Sequence, residues 1–272
     1  MHLTESDQAH YRHLGHLTVP RVFAPAETAA VIEDIHAWGE QVLADLPPQQ
    51  RGWYLDCGVK ARSVLRKLDN PHHHREAVRR LACAPALVDM VESLVGRGVS
   101  VYFSQIFFNP PEGGGPKPAH QDNYYFGPTD LQGVVTAWIA LDDATLENGC
   151  LYFGEVSNLG PVYPHEAPPD EPFNLQLPAR ILDLQPMVPA PVLRGGVSFH
   201  HGNTFHRSGP NHSPHWRRAC ALHYVRNDVE FATPALPYDH ALKYRVSRRS
   251  EAPMKLRSEG DSAQRPSGPS SP

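Results

Sequence analysis

The chain has 272 residues, of which 40% are hydrophobic and 20% are charged, and its formal net charge is −4. This is the composition of a globular protein, and the negative balance without a sustained basic patch argues against nucleic-acid binding. No apolar run is long enough to span a membrane and no secretory leader is readable, so we expect a cytoplasmic protein without membrane contact.

The first part of the chain predicts helices and the later part predicts strands. A short strand or turn is expected at 14–23, and the apolar residues of 25–46 recur at helical spacing. Prolines break the chain over 47–58, and a second pair of helices is expected at about 74–95. Short β-rich runs then alternate with turns over 99–226, as they do in sandwiches and barrels.

These patterns predict one domain, at 1–246, that is mainly β with N-terminal helices. Its helical part would cover about 1–98, and its core at about 99–226 would be a double-stranded β-helix, the jelly roll of cupin-like proteins. The proline-rich stretch at 157–180 is expected to be a long ordered loop or a mobile lid. Residues 247–272, rich in Ser, Pro and charge, are expected to be a disordered tail.

The most informative pattern is the pair His120-x-Asp122, followed much later by His206 and then by Arg217. An extended segment points residues i and i+2 to the same face, so one strand could offer an imidazole and a carboxylate to one ion. Two His and one carboxylate that leave coordination positions open are typical of non-haem Fe(II) oxygenases. An arginine beyond the third ligand suits an anionic co-substrate, because its guanidinium binds a carboxylate bidentately.

Other histidines compete for the metal, since the chain has 17. The alternatives are His200, His201, His212, His215 and the triplet at 72–74. Strand alternation favours His206, because Thr204, His206 and Ser208 would share one face and point into the barrel. We expect His201 to support or pack near the site, and the two histidines of the polar NHSPH loop to be solvated. The triplet stands at a helix start and is not expected to bind metal.

Several segments together resemble the phytanoyl-CoA dioxygenase family of Fe(II)/2-oxoglutarate oxygenases, which includes ectoine hydroxylase. They are HQDNYYF at 120–126, AWIALDD at 137–143, ENGCLYF at 147–153, FHHGNTFHRSGPN at 199–211 and WRRA at 216–219. The opening at 11–27 is similar as well, so the resemblance covers roughly 10–226. The chain departs from the family at Gly195-Gly196, where Gly-Asp is common, and at 155–165, where a Pro-Gly-Ser-His corner is common. The second departure lies near the expected substrate entrance.

The resemblance implies an iron centre and a co-substrate site. Fe(II) would be bound by His120, Asp122 and His206, with 2-oxoglutarate and O2 as co-substrates. Arg217 would bind the distal carboxylate of 2-oxoglutarate, and the Ser208 hydroxyl would assist it. The arginine next to Arg217 would face the opposite side of the strand.

The resemblance also implies a set of pocket residues. Gln105 and Asn109 lie four residues apart on one strand, so they share a face. Similar positions in ectoine hydroxylase line the co-substrate and substrate pocket. Tyr124, Tyr125 and Trp138 are further candidates for the pocket wall.

The implied reaction is hydroxylation of an unactivated C–H bond, with release of succinate and CO2. Its substrate would be a small or mid-sized organic molecule, either a natural-product intermediate or an amino acid. Asp122 favours hydroxylation over halogenation, because related halogenases have a small residue there that lets chloride reach the iron. Desaturation, epimerisation and cyclisation begin with the same hydrogen abstraction and stay open, as does the choice between monomer and homodimer.

Two other classes of protein share the fold. A cupin-like metalloenzyme without 2-oxoglutarate would not need Arg217 and Ser208. A non-catalytic binding protein would be expected to have lost one of the three ligands, and all three are present.

Overall fold

The computed structural model describes residues 2–56, 64–168, 174–183, 185–236 and 239–247. Its first helix, α1 (Glu5–Leu14), was not predicted. A reciprocal cap starts α1: the Thr4 hydroxyl accepts from the backbone N–H of Asp7, and the Asp7 carboxylate accepts from the backbone N–H of Thr4. Tyr11 is its one buried residue, so the sequence has no helical stripe of apolar residues from which α1 could be predicted.

Of the remaining helices, the one at 25–45 and the pair at 76–82 and 85–95 match the predicted ones, and the others are short helices that were not predicted. They are α2 (Pro25–Asp45), α3 (Arg51–Tyr54), α4 (Pro71–His74), α5 (Glu76–Ala82), α6 (Pro85–Val95), α7 (Asp122–Phe126) and α8 (Ala179–Leu182). Pro85 occupies the first turn of α6, where its missing N–H costs nothing, and separates α6 from α5 as expected. None of the helices in the described ranges is long and apolar enough to cross a bilayer.

The described residues form two antiparallel sheets. Their strands are β1 (His16–Val19), β2 (Lys67–Asp69), β3 (Val99–Asn109), β4 (Lys117–His120), β5 (Val134–Ala140), β6 (Leu151–Gly154), β7 (Met187–Ala190), β8 (Val197–His201), β9 (Phe205–Ser208), β10 (Arg217–Arg226) and β11 (Tyr244–Arg245). The major sheet has the order β1-β8-β5-β10-β3-β11, with β2 also paired to β3, and the minor sheet has the order β4-β9-β6-β7. Two facing antiparallel sheets confirm the predicted jelly roll.

Both faces of the major sheet are buried. On β10, Leu222 and Tyr224 pack outward with residues of α2, α5 and α6 in the largest apolar cluster. Ala219 and Ala221 point the other way and pack with Phe153 of the minor sheet and its neighbours. A strand covered on both sides has an almost continuous apolar run, which explains the sequence ACALHYV.

The major sheet does not begin at the predicted boundary near residue 98. Strand β1 pairs with β8, β2 pairs with β3, and β11 extends the same sheet from beyond the predicted core. The expected start of the tail also belongs to the fold, because the Ser247 hydroxyl donates to Glu92 and accepts from the backbone N–H of Val99. Residues 248–272 of the predicted tail lie outside the described residues.

The proline-rich stretch at 157–180 contains little regular structure. It begins with a single 3-10 turn, Ser157–Leu159, and the backbones of Glu166 and Gln176 are hydrogen-bonded to each other. Residues 169–173 lie outside the described part of the chain. Closure of this stretch as a lid stays a prediction.

Candidate active site

A cavity of about 410 Å³ lies between the two sheets. The interior faces of β3, β5, β8 and β10 line it on one side, and residues of β4, α7 and β9 line it on the other. Its volume falls in the range of small-molecule sites. The predicted ligands His120, Asp122 and His206 and the predicted clamp residues Ser208 and Arg217 all line this one cavity.

The three predicted metal ligands are close together and buried. The Nε2 atoms of His120 and His206 lie 3.8 Å and 3.6 Å from Oδ1 of Asp122. Their candidate ligand atoms all lie within 4.8 Å of one another, and no other cluster of three His, Cys, Asp or Glu in the described residues has this spacing. The histidine triplet at 72–74 therefore forms no such cluster.

Asp122 reaches the site from a helix, so the prediction that it shares a strand face with His120 was wrong. Strand β4 ends at His120, which lies directly opposite His206 on β9. Asp122 is the first residue of α7, where a negative charge is favoured by the helix dipole. The backbone N–H of Asn123 donates to the carbonyl of Gly202 and ties the helix start to the β8–β9 turn. The turn into α7, not strand alternation, brings the carboxylate to the imidazoles.

Both predicted ligand histidines are held in the tautomer that a metal would require. Nδ1 of His120 lies 2.8 Å from the carbonyl of Pro118, and Nδ1 of His206 lies 3.0 Å from the carbonyl of Thr204. A carbonyl can only accept, so each Nδ1 carries the proton and each Nε2 presents a lone pair. Burial lowers the pKa of both imidazoles, which favours the neutral form that a metal binds.

The second oxygen of Asp122 is surrounded by residues that were not predicted to act there. Oδ2 accepts a hydrogen bond of 2.6 Å from the Thr136 hydroxyl. Nε2 of His200 and Nδ1 of His223 lie 3.3 Å and 3.4 Å from the same oxygen. Burial alone would raise the pKa of this carboxyl, but interactions with the imidazoles of His206 and His223 hold it well below its ordinary value. The carboxylate is therefore ionised, as metal binding requires.

Arg217 and Arg218 point to opposite sides of β10. Arg218 lies outside the cavity and binds Asp142 through two hydrogen bonds, of 2.7 Å and 2.9 Å. Arg217 is buried opposite Asn109 of β3, with its guanidinium carbon 5.8 Å from the Trp138 ring centroid. Its Nε has no hydrogen-bond partner among the described residues, and burial lowers its pKa to about 10.

These residues fit the cofactors that the sequence implied. Two neutral imidazoles and a carboxylate are a donor set suited to Fe(II). A buried guanidinium with an unpartnered N–H is costly unless an anion binds it, and the carboxylate of 2-oxoglutarate would supply that anion. Near Arg217, the Asn109 amide oxygen is also buried without a partner in the described ranges, while the Ser208 hydroxyl accepts from the backbone N–H of Lys117.

The other predicted pocket residues divide into two groups. Gln105, Tyr125 and Trp138 line the cavity, and the Gln105 amide donates to Asp69 at 2.8 Å. Tyr124 is not among the residues that line it. Its ring stacks on His165, with the ring centroids 4.1 Å apart.

The alternative histidines lie in four different environments. His200 lies beside Asp122 in the cavity lining, on the side of Oδ2. His201 points away: its Nδ1 accepts from the backbone N–H of Asn203, and its Nε2 lies 3.2 Å from the Gln132 amide oxygen. The histidines of the NHSPH loop, His212 and His215, are exposed. In the histidine triplet, His72 is buried under the sheet, away from the cavity lining.

Thr136 and His223 were missed although the sequence carried a weak signal. Each is a polar residue inside a strand that is otherwise almost wholly apolar, VVTAWIA and ACALHYV. On a strand buried on both faces, a polar side chain needs a partner, which points to a polar site nearby. The cross-strand register that aligns these residues with Asp122 cannot be derived from one sequence.

A family model named Phytanoyl-CoA dioxygenase (PhyH) matches residues 11–219. The chain belongs to this family. A probable alpha-ketoglutarate-dependent hypophosphite dioxygenase of Stutzerimonas stutzeri is 28% identical over 228 residues, which cover 82% of this chain and 78% of that protein. Phytanoyl-CoA dioxygenase domain-containing protein 1 of Mus musculus is 35% identical over 160 residues. That match covers 57% of this chain and only 54% of the mouse protein, about half its length.

Solved structures of similar fold include proteins named as a carbocyclase, an epimerase and a monooxygenase. The carbocyclase SnoK from nogalamycin biosynthesis superposes with a TM-score of 0.70 at 24% identity, covering 90% of this chain and 97% of SnoK. EctD from S. alaskensis, solved with bound Fe, has a TM-score of 0.68 at 17% identity, covering 85% of this chain and 80% of EctD. At these identities the likeness establishes the fold.

As a member of the PhyH family, the protein is an Fe(II)- and 2-oxoglutarate-dependent oxygenase that uses O2. The predicted family, jelly-roll fold, enzyme class and cofactors are therefore confirmed. The roles of individual residues, the substrate and the reaction outcome are proposals.

Proposed function

We propose that His120, Asp122 and His206 hold Fe(II), that Arg217 binds the distal carboxylate of 2-oxoglutarate, and that the enzyme hydroxylates a C–H bond of an organic substrate. One observation carries the proposal. A complete, buried His-Asp-His cluster lines the same cavity as a buried arginine whose Nε–H has no hydrogen-bond partner among the described residues. When bound together, Fe(II) and 2-oxoglutarate supply O2 activation and hydrogen abstraction, with release of succinate and CO2.

The protein contributes binding, orientation and exclusion of water. Backbone carbonyls hold the protons of His120 and His206 away from the metal side, so both rings are oriented before the ion arrives. Arg217 is 4% exposed, and a carboxylate bound there forms charge-assisted hydrogen bonds with little competition from water. Ser208 lies on the cavity wall and would add a hydroxyl beside the same carboxylate.

The cavity wall favours an organic molecule over a bare inorganic anion. Trp53, Tyr125 and Trp138 supply broad aromatic surface, which suits a flat or apolar substrate body. Arg66 and Lys117 also line it, and each donates to the side-chain oxygen of Asn174 at 3.3 Å. A natural-product intermediate or an amino acid with an anionic group fits this mixture. Hypophosphite, named for the bacterial relative, would leave the aromatic wall unused.

The test is substrate-dependent turnover by the purified protein. Fe(II), 2-oxoglutarate, ascorbate and a metabolite extract are combined, and O2 consumption and succinate are measured, with hypophosphite as a separate arm. Product mass separates the outcomes: one added oxygen means hydroxylation, loss of two hydrogens means desaturation or ring closure, and unchanged mass means epimerisation. Asp122→Ala is the negative control, and Arg218→Ala is the matched control on the outer face. Absence of 2-oxoglutarate binding to the iron-loaded protein would overturn the proposal.

A further inference from the structure

Three polar side chains and one aromatic side chain form a row across four neighbouring strands of the major sheet. His223 lies directly opposite Phe103 on one side and Thr136 on the other, and Thr136 lies opposite His200. Directly opposed residues of antiparallel strands share a face. All four line the cavity, and the three polar ones converge on Oδ2 of Asp122.

Counting protons fixes the direction of two hydrogen bonds in this row. The Thr136 hydroxyl lies 2.6 Å from Oδ2 of Asp122 and 2.8 Å from Nδ1 of His223. An ionised carboxylate can only accept, and a hydroxyl has one proton to donate. Thr136 therefore donates to Asp122 and must accept from His223. It follows that Nδ1 of His223 carries a proton.

The other nitrogen of His223 is left as an acceptor. A neutral ring with its proton on Nδ1 has a lone pair on Nε2. That Nε2 is buried and has no hydrogen-bond partner among the described residues. Phe103 stacks on the ring at a centroid distance of 5.6 Å and restricts its rotation.

We propose that Thr136 and His223 form a hydrogen-bond chain that positions Asp122 for metal binding and ends in an acceptor for the substrate. Thr136 fixes Oδ2, so that Oδ1 faces the two ligand imidazoles. Nε2 of His223 receives a hydrogen bond from a hydroxyl or amine group of the substrate. The substrate class is therefore a molecule with an O–H or N–H donor close to the oxidised carbon. The proposal rests on the proposed function in placing the metal at Asp122.

The end of the hydrogen-bond chain at the metal is tested with two variants. Thr136→Val keeps the shape of the side chain and removes the hydroxyl, and Thr136→Ser keeps the hydroxyl. Co(II) is titrated anaerobically into each protein without 2-oxoglutarate, and the metal absorption spectrum is followed. We expect Thr136→Val to weaken binding about 10-fold to 100-fold, the usual effect of losing a partner of a metal ligand. Thr136→Ser should bind nearly as the wild type does.

The outcomes separate this proposal from the proposed function. A wild-type protein that binds no Co(II) would overturn both. A Thr136→Val protein that binds Co(II) like the wild type would overturn the hydrogen-bond chain alone. If Thr136→Val does not fold, a measurement on the wild type tests the hydrogen-bond chain instead. Nitrogen NMR of the Zn(II)-loaded protein, with His223 assigned by comparison with His223→Phe, should show the proton on Nδ1. A proton on Nε2 would overturn the chain.

The substrate side is tested with the substrate recovered from the metabolite extract and its O- or N-methylated analogue. Methylation removes the donor, and the unmade buried hydrogen bond should lower kcat/KM roughly 10-fold to 100-fold in the wild type. His223→Phe should process the two compounds with similar kcat/KM, because neither can donate to it. A substrate without any O–H or N–H donor, or an undiminished preference in His223→Phe, would overturn this end of the chain.

Discussion

The two faces of β10 carry different kinds of residues. On the outer face Leu222 and Tyr224 are fully buried among the helices, and the Tyr224 hydroxyl donates to the carbonyl of Ala82 at 2.8 Å. On the inner face Arg217 and His223 are almost as deeply buried, yet each has a nitrogen without a hydrogen-bond partner in the described part of the chain. Small Ala221 lies between them and leaves room for the cavity.

This difference separates stability from function within one strand. An unsatisfied buried polar group costs about 1–3 kcal/mol, so an inner face with several of them is a poor source of stability. Binding of an anion at Arg217 and of a donor at His223 would remove these costs. The apolar outer face, packed on the helices, is the part that holds the sheet in place. Substitutions on the two faces should therefore change different measured quantities.

The largest expected effect is on the metal ligands. His206→Ala removes an imidazole that faces Oδ1 of Asp122 at 3.6 Å. Substitution of a residue that only hydrogen-bonds to a metal ligand typically lowers metal affinity ~10–100-fold. We expect His206→Ala to lower Fe(II) affinity by more than this and to leave no measurable turnover. The melting temperature of the metal-free protein should stay close to that of the wild type. Anaerobic Fe(II) titration and thermal melting test this, with His212→Ala on the exposed loop as control. Full activity in His206→Ala would exclude His206 as a ligand.

The next effect contrasts the two neighbouring arginines. Arg217→Ala should raise the KM for 2-oxoglutarate far more than Arg218→Ala does, because only Arg217 faces the cavity. Loss of a desolvated charge pair costs ~2–5 kcal/mol. That corresponds to roughly 30-fold to several thousandfold in KM. Arg218→Ala breaks a partly exposed pair with Asp142, so a small loss of stability is its main expected effect. Equal KM changes in both variants would contradict the assignment of the two faces.

Much of the fold could be predicted because apolar residues recur with a single helical or strand period over long segments. The helix α2 and the strands β3 and β10 carry strong apolar patterns, and the structure has all three. Strands β2 and β11 span only three and two residues, which is too short for any pattern to show. These short strands, like β1, are held by their neighbours in the major sheet and not by local preference.

The sequence predicted most of the residues that meet in the cavity, but it did not predict their geometry. The His-x-Asp spacing fits one strand face, but it also fits a strand end followed by a helix start, which is where His120 and Asp122 lie. Tyr124 was expected on the pocket wall together with Tyr125, yet the helical turn of α7 directs it to His165. The convergence of Thr136, His200 and His223 depends on strand register, which a single sequence does not reveal.

On the outer face, Leu222→Ala should lower stability without changing the site. Leu222 is completely buried against the helices, and removing its side chain leaves a cavity there. We expect the free energy of unfolding to fall by ~2–5 kcal/mol, measured by urea denaturation. At temperatures where the variant is folded, its KM for 2-oxoglutarate should match the wild type.

Ala221→Val is the matched substitution on the inner face. It adds volume to the wall of the cavity and should weaken turnover, with little change in the free energy of unfolding. If Leu222→Ala altered the KM and Ala221→Val altered mainly stability, the separation of the two faces would be wrong.

The smallest expected effect is a pH dependence that originates under the outer face. His72 is buried there, with Nδ1 2.6 Å from the Ser104 hydroxyl and Nε2 2.9 Å from the carbonyl of Leu242, and burial lowers its pKa from 6.5 to about 4. The unfolded chain therefore binds a proton at this residue between those two values, while the folded protein does not. Acidification through this range favours unfolding, and the effect is complete below about pH 4.

Urea denaturation of the metal-free protein should show stability falling over this range. His72→Gln should make the slope shallower by the share of one histidine, and His36→Gln, on the exposed side of α2, is the control. A slope as steep in His72→Gln as in the wild type would assign the pH dependence to the other buried histidines alone.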